Sequence, residues 1–148
     1  MTAALLELAD RVAALTARDR GIDAEIDCLI RFPSLRPARP NDHSEYTHGI
    51  SRCPGDIWCP TGFLIAASYT SSVDDAIGLV PNGHHWRWLI DRRAYARSRI
   101  DGYRAAVSCS GLIEPTDCQV WAISPAIALS AAALRARWIM ATRKQPLE

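Results

Sequence analysis

Apolar residues recur at helical spacing in the first thirty positions of the chain. A stripe over 2–18 predicts one amphipathic helix. Asp19 then predicts a new N-cap, because the apolar spacing resumes beyond it through residue 30. The two segments are expected to be either two helices with a kink or one bent helix, and in both cases to form a hairpin arm with one apolar face. The stripe residues are Leu5, Leu8, Val12, Leu15, Ile22, Ile26 and Leu29.

Two further helices carry clear start signals. Ser71 or Ser72 is followed three residues later by an aspartate, which is the spacing of a capping box, and Pro81-Asn82-Gly83 ends the pattern. Near the carboxyl end, Ser124 predicts an N-cap and Pro125 the first helical position of a helix that runs to about Thr142. The predicted stripe of this last helix is Ile127, Ala131, Leu134 and Trp138.

Alternating patterns between these helices predict strands. Residues 85–91 place Trp86, Trp88 and Ile90 on one face, and shorter patterns follow near 103–107 and 119–123. The connections are too short for helical crossovers, so the sheet is expected to be antiparallel. The tryptophans Trp86, Trp88, Trp121 and Trp138 are expected to belong to the core.

Segment 32–62 interrupts the regular pattern. It holds five of the nine prolines, a density that predicts a long irregular loop within a single domain spanning 1–148. A short apolar run at 63–67 is consistent with a buried strand. The resulting expectation is an α+β fold, an α/β/α sandwich around a central antiparallel sheet of about three strands, in the order α-α-loop-α-β-β-β-α.

These motifs resemble the small phage proteins grouped as the phage ABA sandwich domain. The resemblance rests on YTSSVDDA at 69–76, LVP at 79–81, WRW at 86–88 and SPAIAL at 124–129, and it covers roughly 1–31 and 67–141. It implies an α/β/α layering and a phage or prophage origin. It supplies no catalytic residues, because the family has no established activity, and it does not extend to segment 32–62.

Composition narrows the class of protein. Hydrophobic residues make up 49% of the 148 residues, and the formal net charge is +1, so no global field favours nucleic acid or membrane. The amino-terminal residues lack a secretory signal pattern, and the five cysteines are an odd number. A cytoplasmic protein of the host cell, with reduced thiols and no membrane partner, is therefore expected. Cys28 and Cys118 are expected to be buried.

Catalytic and metal chemistry are weakly indicated. His43, His48, Cys53 and Cys59 are possible zinc ligands in the loop, but the short C-x-x-C chelate is missing. His84 or His85 could serve as a general base, yet no nucleophile elbow, phosphate loop or His-Glu-x-x-His pattern occurs. We therefore expect no cofactor and no enzymatic activity, and keep a metal-dependent enzyme built on the loop residues as an alternative.

Positive charge is concentrated in one segment. Residues 86–104 contain six arginines and two aspartates, a local net charge of +4. Arginine interleaved with tyrosine suits an acidic protein surface or a nucleic-acid backbone. Trp58, in the proline-rich loop, is a candidate anchor for a partner. The candidate binding residues are Trp58, Arg92, Arg93, Tyr95, Arg97 and Arg99.

These observations predict a small phage or prophage accessory protein that acts by binding a macromolecule, most simply a protein. Inhibition of a host or defence enzyme is one such role. The alternatives are a nucleic-acid-binding module that uses the arginine-rich segment, the metal-dependent enzyme, and a structural component of the virion. Neither the partner nor the oligomeric state follows from the residues.

Overall fold

The described residues form a mixed α+β fold with two small antiparallel sheets of three strands each. A computed structural model describes residues 2–43, 54–83, 85–93 and 102–143, and the side chain of Arg93 is not described. The chain divides into two compact units. One comprises Met1–Arg18 with Tyr69–Glu148, and the other is Asp19–Ser68.

The smaller unit combines one helix with a short sheet. Helix α2 (Arg20–Ile30) packs against β1 (Arg36–Pro37) and β2 (Asp56–Cys59), and β2 also pairs with β3 (Gly62–Ile65). The Asp19 side chain accepts a hydrogen bond from the backbone N–H of Ile22 at 3.0 Å, which confirms the predicted N-cap. One small apolar core cluster of this unit consists of the buried residues Ala24, Cys28, Ile57 and Ala66, and Ile22 and Ile26 of α2 are buried as well.

A polar network supplements that small core. The guanidinium of Arg20 donates to Asp23 at 2.8 Å, and it also donates to the carbonyl oxygens of Ala66 and Ala67 and to the hydroxyl of Ser68. The carboxylate of Asp27, fully buried one turn further along α2, accepts from the backbone N–H of Ala67 at 2.9 Å. The network therefore ties the helix to the chain that follows β3.

Gly55 allows the backbone before β2 to lie close to the Arg20 side chain of this network. Its φ is +99°, and a Cβ at this position would lie 2.8 Å from the Nε of Arg20, whose guanidinium is held by four hydrogen bonds. Gly55→Ala is therefore expected to lower the free energy of unfolding by about 1–3 kcal/mol. Urea titration followed by circular dichroism measures this change. Gly62→Ala, in the same sheet with nothing near its Cβ, should change it by less than about 0.5 kcal/mol, and an equal loss in both variants would contradict the explanation.

The larger unit is built around a second sheet. Strands β4 (Trp86–Arg93), β5 (Gly102–Cys109) and β6 (Gln119–Ala122) pair in chain order, all antiparallel. Helix α4 (Pro125–Arg143) packs on this sheet, and α1 (Thr2–Ala13) and α3 (Val73–Ile77) pack against α4. Ser72 and Ser124 cap α3 and α4 by accepting from Asp75 and Ile127 N–H groups at 3.2 Å, as predicted.

Helix α4 is the core of the larger unit. All residues from Ala126 to Leu134 are buried, so burial extends around the whole helix beyond the predicted stripe. A helix packed between a sheet and two other helices has no free face, and its six alanines at 126–136 permit close approach. Ser130, fully buried, donates from its hydroxyl to the carbonyl of Tyr69 at 2.8 Å.

The structure differs from the sequence expectations at three places. Segment 32–62 contains β1 and β2, because their prolines lie at strand ends and at an edge, where no central hydrogen bond is lost. Helix α1 ends at Ala13 rather than at residue 18, and the hairpin arm of α1 and α2, which fall in different compact units, stays a prediction. The expectation that all four tryptophans are core is also wrong, since Trp88 and Trp121 are exposed.

Candidate binding surface

The strand register divides the residues of the larger sheet between two faces. Residues directly opposite in antiparallel strands share a face, so Ile90, Ala105 and Val120 lie on one side. That side is the one buried toward the core, because Ala105, Val107 and Val120 are buried. Leu89, Arg104 and Trp121 lie on the other side, which we call the open face.

The open face presents large apolar side chains to solvent. Leu89 is 52% exposed and Trp121 is 37% exposed. Between them, Arg104 pairs with Asp91 through both guanidinium donors, its Nε lying 3.2 Å from a carboxylate oxygen. The guanidinium of Arg104 also lies 6.0 Å from the centre of the Trp121 ring. The surface is thus apolar at both sides and carries a preformed ion pair in its middle.

The described arginines of β4 are divided between the two faces of the sheet. Arg87 is exposed and shares the open face with Leu89, whereas Arg92 lies over the Tyr103 ring on the opposite side of the sheet, 6.0 Å from its centre. Arg93 ends β4. The candidate residues Tyr95, Arg97 and Arg99 lie outside the described residues.

Trp58 occupies a built environment in the smaller unit. The guanidinium of Arg36 lies over its ring at 4.8 Å from the centre, and its Nε1 donates to the carbonyl of His43 at 3.1 Å. Arg36 also donates to both carboxylate oxygens of Asp42, at 2.7 and 2.9 Å. The contacts of the half-buried indole therefore hold residues 36–43 against β2. The use of Trp58 as an anchor for a partner stays a prediction.

The Arg36–Asp42 pair has a defined pH dependence. Hydrogen bonds from Arg36 and from the backbone N–H of Arg39 lower the pKa of Asp42 to about 2. A folded-state pKa below the unfolded value means that the pair contributes its stabilisation at neutral pH and loses it only as the pH falls toward 2. The Arg36–Asp42 ion pair therefore stays intact throughout the physiological pH range.

The loop residues proposed as metal ligands are only partly described. His43 and Cys59 are placed, and His48 and Cys53 lie outside the described residues. Within the described ranges, no group of three or more His, Cys, Asp or Glu side chains is arranged to hold a metal ion. A hydrogen bond with Thr61 lowers the pKa of the Cys59 thiol.

The pKa values of the two buried thiols are shifted in the opposite direction from that of Cys59. Burial raises the pKa of Cys28 and Cys118 to about 11, so both remain protonated at neutral pH. Their burial confirms the expectation that they act as small apolar core residues.

Leu89 and Trp121 were not among the candidate residues derived from the sequence. The alternating pattern of β4 did assign Leu89 to the face opposite the tryptophans, but a single leucine gives no binding signal. Arg104 was noted only as one charge in a cluster. Their proximity depends on the pairing of β4, β5 and β6, which places residues 89, 104 and 121 on one face.

Comparison of the chain with protein-family models, with curated proteins and with solved structures found no match. Among the described helices, none combines the length and the apolar character needed to span a membrane.

Proposed function

We propose that this is a phage- or prophage-encoded accessory protein of the host cytoplasm that works without catalysis, by binding an acidic protein through the open face. The observation that carries the proposal is the exposed pair Leu89 and Trp121, separated by the Arg104–Asp91 ion pair. Large exposed side chains next to arginine are typical of binding anchors. The phage origin is supported only by the sequence resemblance.

The charge of the surroundings favours an acidic partner. Arg87 is exposed on the open face, and residues 86–104 carry a net charge of +4 in a chain of net charge +1. An acidic protein would gain from this field during association. An α/β/α sandwich has a layer on each side of its sheet, and the bound partner would supply the layer over the open face. Inhibition of a host or defence enzyme is the role that such a contact would serve.

The test starts with affinity capture from host lysate by the wild-type protein, followed by purification of the captured protein. Calorimetry then compares wild type with Trp121→Ala, and we expect at least a tenfold loss of affinity, the size of an anchor residue. Leu112→Ala changes a leucine that is 49% exposed in the turn between β5 and β6, outside the paired strands, and should bind like wild type. Equal binding by all three proteins would contradict the proposal.

Nucleic acid is the competing partner. Fluorescence anisotropy with mixed-sequence duplex DNA at low and physiological salt distinguishes the two classes. Binding to DNA that weakens steeply with salt, together with no captured protein, would assign the arginines to a nucleic-acid backbone instead.

A further inference from the structure

Strand β4 is a long strand at the edge of its sheet. It spans eight residues, Trp86–Arg93, and among the described strands it pairs only with β5. An unpaired edge presents a row of backbone N–H and C=O groups that can pair with another strand. Natural edges are usually protected by proline, short length or charged side chains, lysine above all; β4 has no proline or lysine and is long, and its charged residues lie on either side of an apolar centre.

The centre of this strand is apolar and exposed. Trp88 and Leu89 lie on opposite faces of the sheet, and they are 43% and 52% exposed. A strand that exposes large side chains on both faces at its edge gains burial on both faces when another strand pairs with it. Arg87 and Asp91 lie on either side of this apolar centre.

We propose that the edge of β4 away from β5 pairs antiparallel with β4 of a second copy of this chain, around a two-fold axis at Leu89. In this register Leu89 lies opposite Leu89 of the other copy, Trp88 lies opposite Ile90, and Arg87 lies opposite Asp91. Arg87 then meets a carboxylate, and the three central apolar residues Trp88, Leu89 and Ile90 meet apolar residues. Trp86 lies opposite Arg92, which is a favourable aromatic–cation pair.

Charge complementarity selects this register from its neighbours. A two-fold axis perpendicular to the sheet keeps the helix-covered faces of both copies on the same side, and it must pass through a residue position. An axis at Ile90 would place Arg87 opposite Arg93, a like-charge pair that is destabilising. An axis at Trp88 would place Arg87 opposite Leu89 and leave Asp91 opposite His85. Of these three axes, only the axis at Leu89 places Arg87 opposite Asp91.

The Asp91 carboxylate can accept from a further donor in addition to those of its own chain. Its side chain is 29% exposed while it accepts from Arg104 of its own chain. A carboxylate has lone pairs for more than two donors. The resulting six-stranded sheet would carry two open faces side by side, so the assembly would present its binding surface twice.

The test uses opposite charges at the proposed axis. Wild type is expected to have a dimer mass by light scattering coupled to size exclusion, with a monomer fraction that grows on dilution. Leu89→Lys and Leu89→Glu each place like charges opposite one another, so each alone should weaken dimerisation at least tenfold. Mixed in equal amounts, the two variants should form a heterodimer, because lysine then meets glutamate.

The controls separate this inference from the proposed function. Leu112→Lys changes an equally exposed leucine and should leave the dimer intact. Trp121→Ala changes β6, at the other edge of the sheet, and should weaken partner binding while the dimer persists. A monomeric wild type at high concentration, or a dimeric Leu89→Lys variant, would overturn the proposal. Failure of the mixed variants to associate would overturn the axis at Leu89.

Discussion

Asp27→Ala is expected to lower the free energy of unfolding of the smaller unit by about 2–4 kcal/mol. The carboxylate is fully buried and accepts from the Nε and Nη2 of Arg31, both at 2.6 Å, and from the backbone N–H of Ala67. Alanine removes these charge-assisted bonds and leaves the Ala67 N–H without this acceptor.

Hydrogen exchange resolved by peptide, combined with urea titration, measures this effect and locates it. The amides of α2 should exchange faster in Asp27→Ala, whereas those of α4 should keep their protection. Asp27→Asn keeps the shape but removes the charge, and it should recover less than half of the loss.

Asp10→Ala supplies the matched control for this aspartate. Asp10 also pairs with an arginine, Arg135 at 3.0 Å, but its side chain is 59% exposed. Exposed ion pairs contribute only about 0–1 kcal/mol. If Asp10→Ala and Asp27→Ala cost the same, the burial of Asp27 would not be the source of its contribution.

The buried aspartates show where prediction from sequence stops. The N-cap at Asp19 could be predicted because a cap depends on neighbours within three residues. Asp23 and Asp27 interrupt the apolar pattern of α2, and their burial depends on Arg20 and on residues 66–68, some forty positions further along the chain. A local pattern contains no information about that pairing.

The same limit applies to the strands and to the open face. Proline density correctly excluded a helix from the described residues of 32–62, but β1 and β2 are short and are fixed by pairing with each other and with β3. Strand β4 was predictable from alternation, yet alternation does not show which face is covered or that β4 lies at the edge. Both properties follow from the position of α4 and from the strand order.

Leu129→Ala is expected to lower the free energy of unfolding of the larger unit by about 2–5 kcal/mol, the range for removing a buried leucine side chain. Leu129 lies off the apolar stripe predicted from the sequence, two residues after Ile127 and therefore about 200° around the helix. It is nevertheless fully buried, because α4 is enclosed by the sheet and by two helices. The expected loss in the free energy of unfolding therefore tests directly whether α4 is covered on all sides.

A matched leucine makes the test decisive. Leu112→Ala removes the same atoms from a side chain that is 49% exposed, and it should change the free energy of unfolding by less than about 0.5 kcal/mol. Urea titration of both variants gives the comparison, and faster hydrogen exchange in α1 and α4 should accompany the Leu129 change. A small effect at Leu129 would mean that α4 has a solvent-facing side, as the single stripe predicts, because only an exposed leucine can be truncated without leaving a cavity.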